Sequence, residues 1–220
     1  MTRTHFAEAA VGGAALLYAA RRYYRNWGTT KAECRRRLPG DELVRSPALQ
    51  STEGILIDAP VRAVWPWLMQ LGEDRAGFYT YESLESLLSR DYHGDHAIRP
   101  EWQRLEPGDL VRLAPPGWLG RRGGVLLRVA SVVDKQSIVL CGTPPEFPWE
   151  AVWSFHLEPH WDDQCRLLVR TRAGLRHPGQ VFVTEAAGPV VSLTVRGMLL
   201  GIRERAEATA VATRAPEPAA

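Results

Sequence analysis

The chain is poor in cysteine, and the three it has, Cys34, Cys141 and Cys165, form no CxxC pair and no spacing that suits a metal. An odd count completes no disulfide framework, so a reducing compartment is expected. No GxxxxGK[ST] loop, no GxGxxG after a strand, no GxSxG elbow and no HExxH pair occurs in the 220 residues. Those absences argue against the commonest routes to nucleotide binding, serine-hydrolase chemistry and zinc proteolysis. A charge excess is missing as well: 27 Lys and Arg stand against 25 Asp and Glu, a net of +2. Whole-molecule charge therefore points to neither a nucleic acid nor an acidic partner.

Charge is local instead. Residues 1–37 hold eight Lys and Arg, among them the run Arg35-Arg36-Arg37, against Glu8 and Glu33, a net of +6 that leaves −4 on the remainder. From Phe6 to Ala20 the chain is almost uncharged, and Phe6, Ala9, Ala10, Gly13, Leu16, Leu17, Ala20, Tyr24 and Trp27 share one helical face. This run falls short of the about 20 apolar residues of a spanning helix. Three readings stand. The helix packs on its own domain or a second subunit; or residues 1–37 make peripheral contact with a membrane surface, aided by the basic run; or the segment is a secretory signal, against which Arg21 and Arg22 stand directly after any cleavage point. Downstream, Thr30 with Glu33 three residues on forms a capping box for a short helix that Pro39-Gly40 ends.

The chain divides into an amphipathic helix and basic leader over 1–50, one domain over 51–208 and a flexible tail over 209–220. Residues 52–58 read as a strand. Asp58 offers a side-chain cap, and Pro60 starts a helix over about 60–71 that Pro66 should kink. Tyr79–Ser89 reads as a second helix, with Leu84, Leu87 and Leu88 on one side. Five strand runs follow, at 109–113, 125–133, 137–141, 151–157 and 165–172, separated by Pro, Gly and Asp turns in the manner of an antiparallel meander. Pro189 then introduces a helix striped by Val191, Val195, Met198, Leu199, Ile202 and Ala206. The fold class is α+β.

Six pieces in this order, Ile55-Leu-Ile-Asp-Ala-Pro60, Val64-Trp-Pro-Trp-Leu68, Gly77-Phe-Tyr-Thr-Tyr81, Ile98-Arg-Pro-Glu-Trp-Gln103, Pro107-Gly-Asp109 and Gly197-Met-Leu-Leu-Gly-Ile-Arg203, carry a family likeness. Over residues 27–207 the chain resembles the START-like superfamily (SRPBCC, polyketide cyclase/lipid-transport-like). The leader Leu38-Pro-Gly-Asp-Glu42 resembles that of a bacterial subgroup. Phe78 departs from the Trp of that subgroup, and Gly188-Pro-Val-Val-Ser192 replaces a more polar entry to the last helix. The resemblance implies a helix-grip fold, a curved antiparallel sheet wrapped around the long C-terminal helix, with a cavity for an apolar small molecule.

On that geometry Trp67, Phe78, Tyr79, Tyr81, Trp102, Trp153, Phe155, Met198 and Ile202 are candidates to line the cavity, with Gln103 at its mouth; plain core is the rival reading of each. Eight tryptophans supply flat apolar surface for a ring system or an acyl chain. The Tyr79 and Tyr81 hydroxyls can donate to a ligand carbonyl or satisfy loop backbone. Glu101 at the mouth, Tyr81 and His93 are the candidates for acid–base chemistry. Asp91, His93, Asp95 and His96 are dense in ligand types but match no metal motif, so no metal and no cofactor are expected. Arg170 and Arg172 alternate with apolar residues; facing inward one clamps a ligand carboxylate, facing outward both are sheet-surface charges. Gly120-Arg-Arg-Gly-Gly124 opens no helix and reads as a hairpin loop.

The expected function is binding or carriage of a hydrophobic small molecule, a lipid, quinone or polyketide, without catalysis, in the cytoplasm or at its membrane surface and with no nucleic acid partner. Two alternatives are an enzyme of the cyclase, aromatase or dehydratase kind, and an interaction module recruited through the N-terminal helix.

Overall fold

The structure, a computed structural model, describes residues 2–79, 97–117, 120, 122–145 and 147–214. In chain order its elements are helix α1 (Thr2–Arg25), helix α2 (Lys31–Arg35), strand β1 (Leu49–Ile57), helix α3 (Val61–Met69), a 3-10 turn over Pro100–Trp102, strands β2 (Leu110–Ala114), β3 (Val125–Val133), β4 (Ser137–Gly142), β5 (Glu150–His160) and β6 (Gln164–Gly174), and helix α4 (Pro178–Arg214). The six strands form one sheet in the order β1-β6-β5-β4-β3-β2, antiparallel throughout. Strands β2 to β6 are the expected meander, and β1 closes the far edge against β6. Register shifts between Val129 and Ser131 and between Arg112 and Ala114 bend the sheet.

Alternation decides which face each side chain joins. Ile55 and Ile57 of β1, Leu167 and Val169 of β6, Phe155 and Leu157 of β5, Ile138 and Leu140 of β4, and Leu127 and Val129 of β3 form one buried layer with Val195, Met198, Leu199, Ile202 and Ala206 of α4. Burying each large side chain contributes about 1.5–3 kcal/mol, so this layer is the main stabilising element. The result is the helix-grip arrangement.

Two local expectations change. Helix α4 begins at Pro178 and runs through Pro189. A proline at N1 and a proline inside a helix both present φ near −65°, so Pro189 alone cannot mark the start. The Gln180 carboxamide oxygen accepts from the backbone N–H groups of Arg176 and His177 and fixes the true beginning. Asp58 does not cap α3: Pro60 is the N-cap without a side-chain bond, and Asp58 Oδ1 instead accepts from Gln164 Nε2 at 2.6 Å. Pro66 lies within α3 as one continuous helix.

The outer face of the sheet is covered by the leader. Thr30 and Glu33 make both bonds of the expected capping box. Trp27 O accepts from Gly54 N at 3.0 Å, and Thr29 Oγ1 donates to Thr52 O at 3.0 Å, so the leader is tied to β1. Gly28, at φ +70°, lies so close to Gly54 that an added Cβ would sit 2.1 Å from the Gly54 carbonyl oxygen. Val44 packs on Val139 and Val152 as a second small apolar cluster.

Arg170 and Arg172 are the clearest departure from expectation. They face outward, away from α4, yet Arg170 is only 1% exposed because the leader closes over it. Its guanidinium donates to Asp41 Oδ2 at 2.7 Å, to Thr52 Oγ1, and to the carbonyls of Glu33, Cys34 and Arg36. They are neither a clamp for a ligand on the helix side nor solvated surface charges.

Candidate functional site

The face of the sheet that looks at α4 carries a band of aromatic rings. Trp153 and Phe155 project from β5 on the same side two residues apart, with ring centroids 4.7 Å apart. Phe78 lies 5.9 Å from Trp153, and its neighbour Tyr79 meets Trp67 of α3 edge-on at 5.7 Å. Five of the residues marked from sequence thus meet in two ring clusters, Trp67–Tyr79 and Phe78–Trp153–Phe155, linked through the chain at Phe78 and Tyr79 between α3 and β5. Phe155 is fully buried, whereas Phe78 and Trp153 keep part of their surface open.

Tyr79 is held firmly. Its backbone is left-handed at φ +54°, its hydroxyl donates to Trp67 O at 3.1 Å, and Arg205 of α4 lies 4.8 Å above its ring. Gly201 of α4 lets this approach happen, because a Cβ there would fall 2.0 Å from the Tyr79 carbonyl oxygen. The Trp67 indole N–H is buried and meets no acceptor among the described residues. An orphaned buried donor costs about 1–3 kcal/mol, so it is a place where an acceptor is wanted.

Met198 and Ile202 are fully buried in the layer between α4 and the sheet. Trp102 packs at the edge of this layer, and its carbonyl accepts from Arg75 Nη2 at 2.6 Å. The Gln103 carboxamide donates to Pro66 O and to Gln70 Oε1, both at 3.2 Å. Gln70, buried at the end of α3, in turn donates to Ala97 O and accepts from Arg99 N, so it staples residues 97–103 to the helix. Glu101 is exposed in the 3-10 turn. Tyr81, His93, the cluster of Asp91, Asp95 and His96, and the expected helical stretch beyond Tyr79 lie outside the described residues. Among the described residues no group of three His, Cys, Asp or Glu gathers to hold a metal.

A residue that sequence reasoning passed over is Glu53. It lies in phase with Ile55 and Ile57 on the α4 side of β1 and is 3% exposed. That phase was the available signal: a carboxylate in register with two core isoleucines is inward-facing. Ser192 Oγ of α4 lies 3.2 Å from Glu53 Oε2 and 2.5 Å from Tyr24 O. Burial pushes the Glu53 carboxyl up to about 8, against the downward pull of Ser192 and Arg196. The geometry agrees. Ser192 Oγ has one hydrogen for two acceptors, the Tyr24 carbonyl at 2.5 Å and Glu53 Oε2 at 3.2 Å, so a Glu53 that holds a proton can donate in the longer contact when Ser192 donates to the nearer. Arg196 covers this group, its guanidinium 4.6 Å above the Trp27 ring and 5.7 Å from that of Tyr23.

Helix α1 reaches α4 here. Arg21 and Arg25 both pair with Glu185 at 2.6 Å, and Gly188 leaves room for the Tyr24 ring. The Tyr24 end of α1 therefore packs on its own domain, while Leu16 and Tyr18 are exposed. The first half of α4 likewise exposes Phe182, Val183, Val190 and Val191. By length and composition α4 is the helix, among the described residues, that could cross a membrane; its second half is the core helix of the sheet.

Two of the clefts outlined by the described residues lie away from the space between sheet and α4. One, of about 390 Å³, opens on the outer face under the leader. The other, of about 230 Å³, lies by Trp149, Glu150, Arg176 and His177 at the start of α4.

No family model matches the chain, and no curated protein does. Solved structures of similar shape include a protein from Thermobifida fusca, 13% identical, covering 73% of this chain and 94% of its own at a TM-score of 0.47. A protein from Mycobacterium smegmatis is 15% identical over 76% of this chain and 93% of its own, TM-score 0.43. A norcoclaurine synthase point mutant from Thalictrum, in complex with a transition-state analogue, is 13% identical over 71% and 94%, TM-score 0.39. The helix-grip assignment rests on this chain's own sheet order and terminal helix.

Proposed function

We propose that the chain binds a hydrophobic small molecule, a lipid, quinone or polyketide-like compound, against the face of the sheet that α4 covers. The observation that carries this reading is the aromatic band from Trp67 to Phe155, whose members Phe78 and Trp153 stay partly open. Flat rings on a concave apolar face suit an extended ring system or acyl chain, and the orphaned Trp67 N–H offers one polar anchor. Membership of the START-like superfamily is part of the same proposal. So is peripheral membrane contact through the N-terminal segment, supported by Leu16 and Tyr18 beside Arg21 and Arg22.

Native mass spectrometry of gently purified protein, with extraction of anything bound, tests the reading. A stoichiometric apolar compound lost in Phe78→Ala and Trp153→Ala variants is the expected result. A clean apo mass, repeated after incubation with lipid and quinone extracts, overturns it. Membrane contact predicts that deletion of residues 1–20 moves the protein into the soluble fraction, and an unchanged distribution refutes it.

Glu53 favours a second reading, acid–base chemistry of the cyclase or dehydratase kind, because its carboxyl keeps a proton at neutral pH on the ligand-facing side of the sheet. Under that reading Glu53→Gln abolishes turnover of a bound compound and leaves its affinity intact.

A further inference from the structure

The outer-face cleft is independent of the aromatic band, on the opposite side of the sheet. Its walls bring together Arg35, Arg36 and Arg37 at the end of α2, Arg45 from the leader, and Arg170 and Arg172 from β6. Six arginines face two carboxylates, Asp41 and Glu42, a net of four positive charges around about 390 Å³.

The carboxylates are already committed. Asp41 accepts from Leu38 N at 3.0 Å and from Arg170 at 2.7 Å, and its second oxygen lies 3.0 Å from Arg172 Nη1 in a geometry that falls short of a hydrogen bond. Glu42 Oε1 accepts from Gly40 N at 3.2 Å. Arg36 pairs with Glu158 outside the cleft. Among the described residues Arg35, Arg37 and Arg45 have no carboxylate partner, and Arg172 Nε is buried without an acceptor.

Like charges converging on one hollow repel one another, and a buried guanidinium N–H without an acceptor is costly. Both deficits are met by the same object, an oxyanion with several acceptor oxygens. Guanidinium groups match phosphate geometry through paired N–H donors, and walls of one sign concentrate the field inside a cleft. Arg170 is immobilised by five bonds and gives the site a rigid floor. We propose that the cleft between the leader and β6 is a binding site for a phosphate group, carried by a soluble phosphate ester or by a lipid headgroup.

The test uses the full chain and three exposed rim residues, in the variant Arg35→Gln/Arg37→Gln/Arg45→Gln, which leaves Arg170, Arg172 and Asp41 in place. A control, Arg62→Gln/Arg104→Gln/Arg122→Gln, removes the same charge from exposed positions outside both the cleft and the N-terminal segment. Calorimetric titration with inorganic phosphate and with glycerol 3-phosphate reads the soluble source. Cosedimentation with phosphatidylcholine vesicles, with and without phosphatidic acid, reads the lipid source. Saturable binding in either arm, weakened about tenfold or more in the rim variant and retained in the control, supports the proposal. A response to phosphatidic acid vesicles alone assigns the headgroup, and a response to the soluble esters alone assigns a free ligand. Absence of binding in both arms, or equal weakening in rim and control variants, overturns it.

Discussion

Replacing Glu53 by Gln should leave this protein more stable than the wild type at alkaline pH, an outcome opposite to that of deleting most buried hydrogen-bonded groups. The carboxyl has an ordinary value of 4.5 and is pushed up to about 8 in the fold, first by burial, with Ser192 and Arg196 opposing. Below 4.5 both folded and unfolded chains hold the proton, so the group is neutral in its effect. Between 4.5 and about 8 the unfolded chain releases a proton that the native state keeps, and stability falls through that window. At about 1.4 kcal/mol per pH unit the full window is worth at most about 5 kcal/mol, and the part between pH 6 and pH 8 about 3 kcal/mol. Glutamine keeps the shape, and its amide can donate to Ser192 Oγ where the protonated acid did. Two other buried groups touch only the ends of this range, and equally in both proteins: burial first, and then Arg170, pulls His156 down from 6.5 to about 4, and burial holds the Cys165 thiol up at about 12 from 9.0, so the difference between wild type and variant isolates Glu53. Urea unfolding at pH 6, 7, 8 and 9 is the assay. With a slope of about 2 kcal/mol per molar, the wild-type midpoint should drop by about 1–1.5 M across the series while that of the variant stays level. Parallel losses in both proteins would refute the argument that Glu53 is buried as the neutral acid.

On the acid side the sign reverses. His156 is held neutral in the fold, so its contribution is lost as pH falls from 6.5 to about 4, and His156→Gln should flatten that limb by about 3 kcal/mol in the same urea series. Arg170→Met leaves Asp41 buried with Arg172 alone and strips donors from three leader carbonyls; a loss of about 3–5 kcal/mol, read as a Tm lowered by about 10 °C in calorimetry, is expected. Gly201→Ala drives a methyl into the Tyr79 backbone and should cost about 1–3 kcal/mol by urea unfolding, with a change in near-UV circular dichroism from the Trp67–Tyr79 pair. A chain lacking residues 1–20 should keep its cooperative thermal transition by circular dichroism, whereas one lacking residues 1–37 should lose it, because Arg170 then has no carbonyl partners from Glu33, Cys34 and Arg36.

Local structure was legible wherever a single residue's chemistry decides it. The strands of the meander begin and end within a few residues of their alternating runs, since clusters of Pro, Gly and Asp favour turns and β-branched residues fit a pleat. The capping box of Thr30 and Glu33 needs only a three-residue spacing, and it forms as read. Where two local rules compete the sequence is ambiguous: Pro178 and Pro189 both satisfy the helix-start rule, and only the bonds to the Gln180 side chain separate them.

Alternation tells which residues share a face but not what covers that face. Glu53 was knowable as inward from its phase with Ile55 and Ile57, yet its protonation depends on Ser192, Tyr24 and Arg196, which lie on α1 and α4. The aromatic supply was plain in the sequence, whereas the run from Trp67 to Phe155 exists because α3, the Gly77–Tyr79 turn and β5 converge. Arg170 and Arg172 could be placed on one side of β6 from sequence, but their burial was decided by a leader more than 120 positions away folding back over the sheet. The sequence by itself determined the fold class, the meander, the caps and the basic character of the first 37 residues, because these follow from spacing and side-chain type. Only the tertiary structure decided which charges are buried, which are paired and which are left without a counter-charge, because desolvation and counter-charge are properties of the surroundings that the fold assembles.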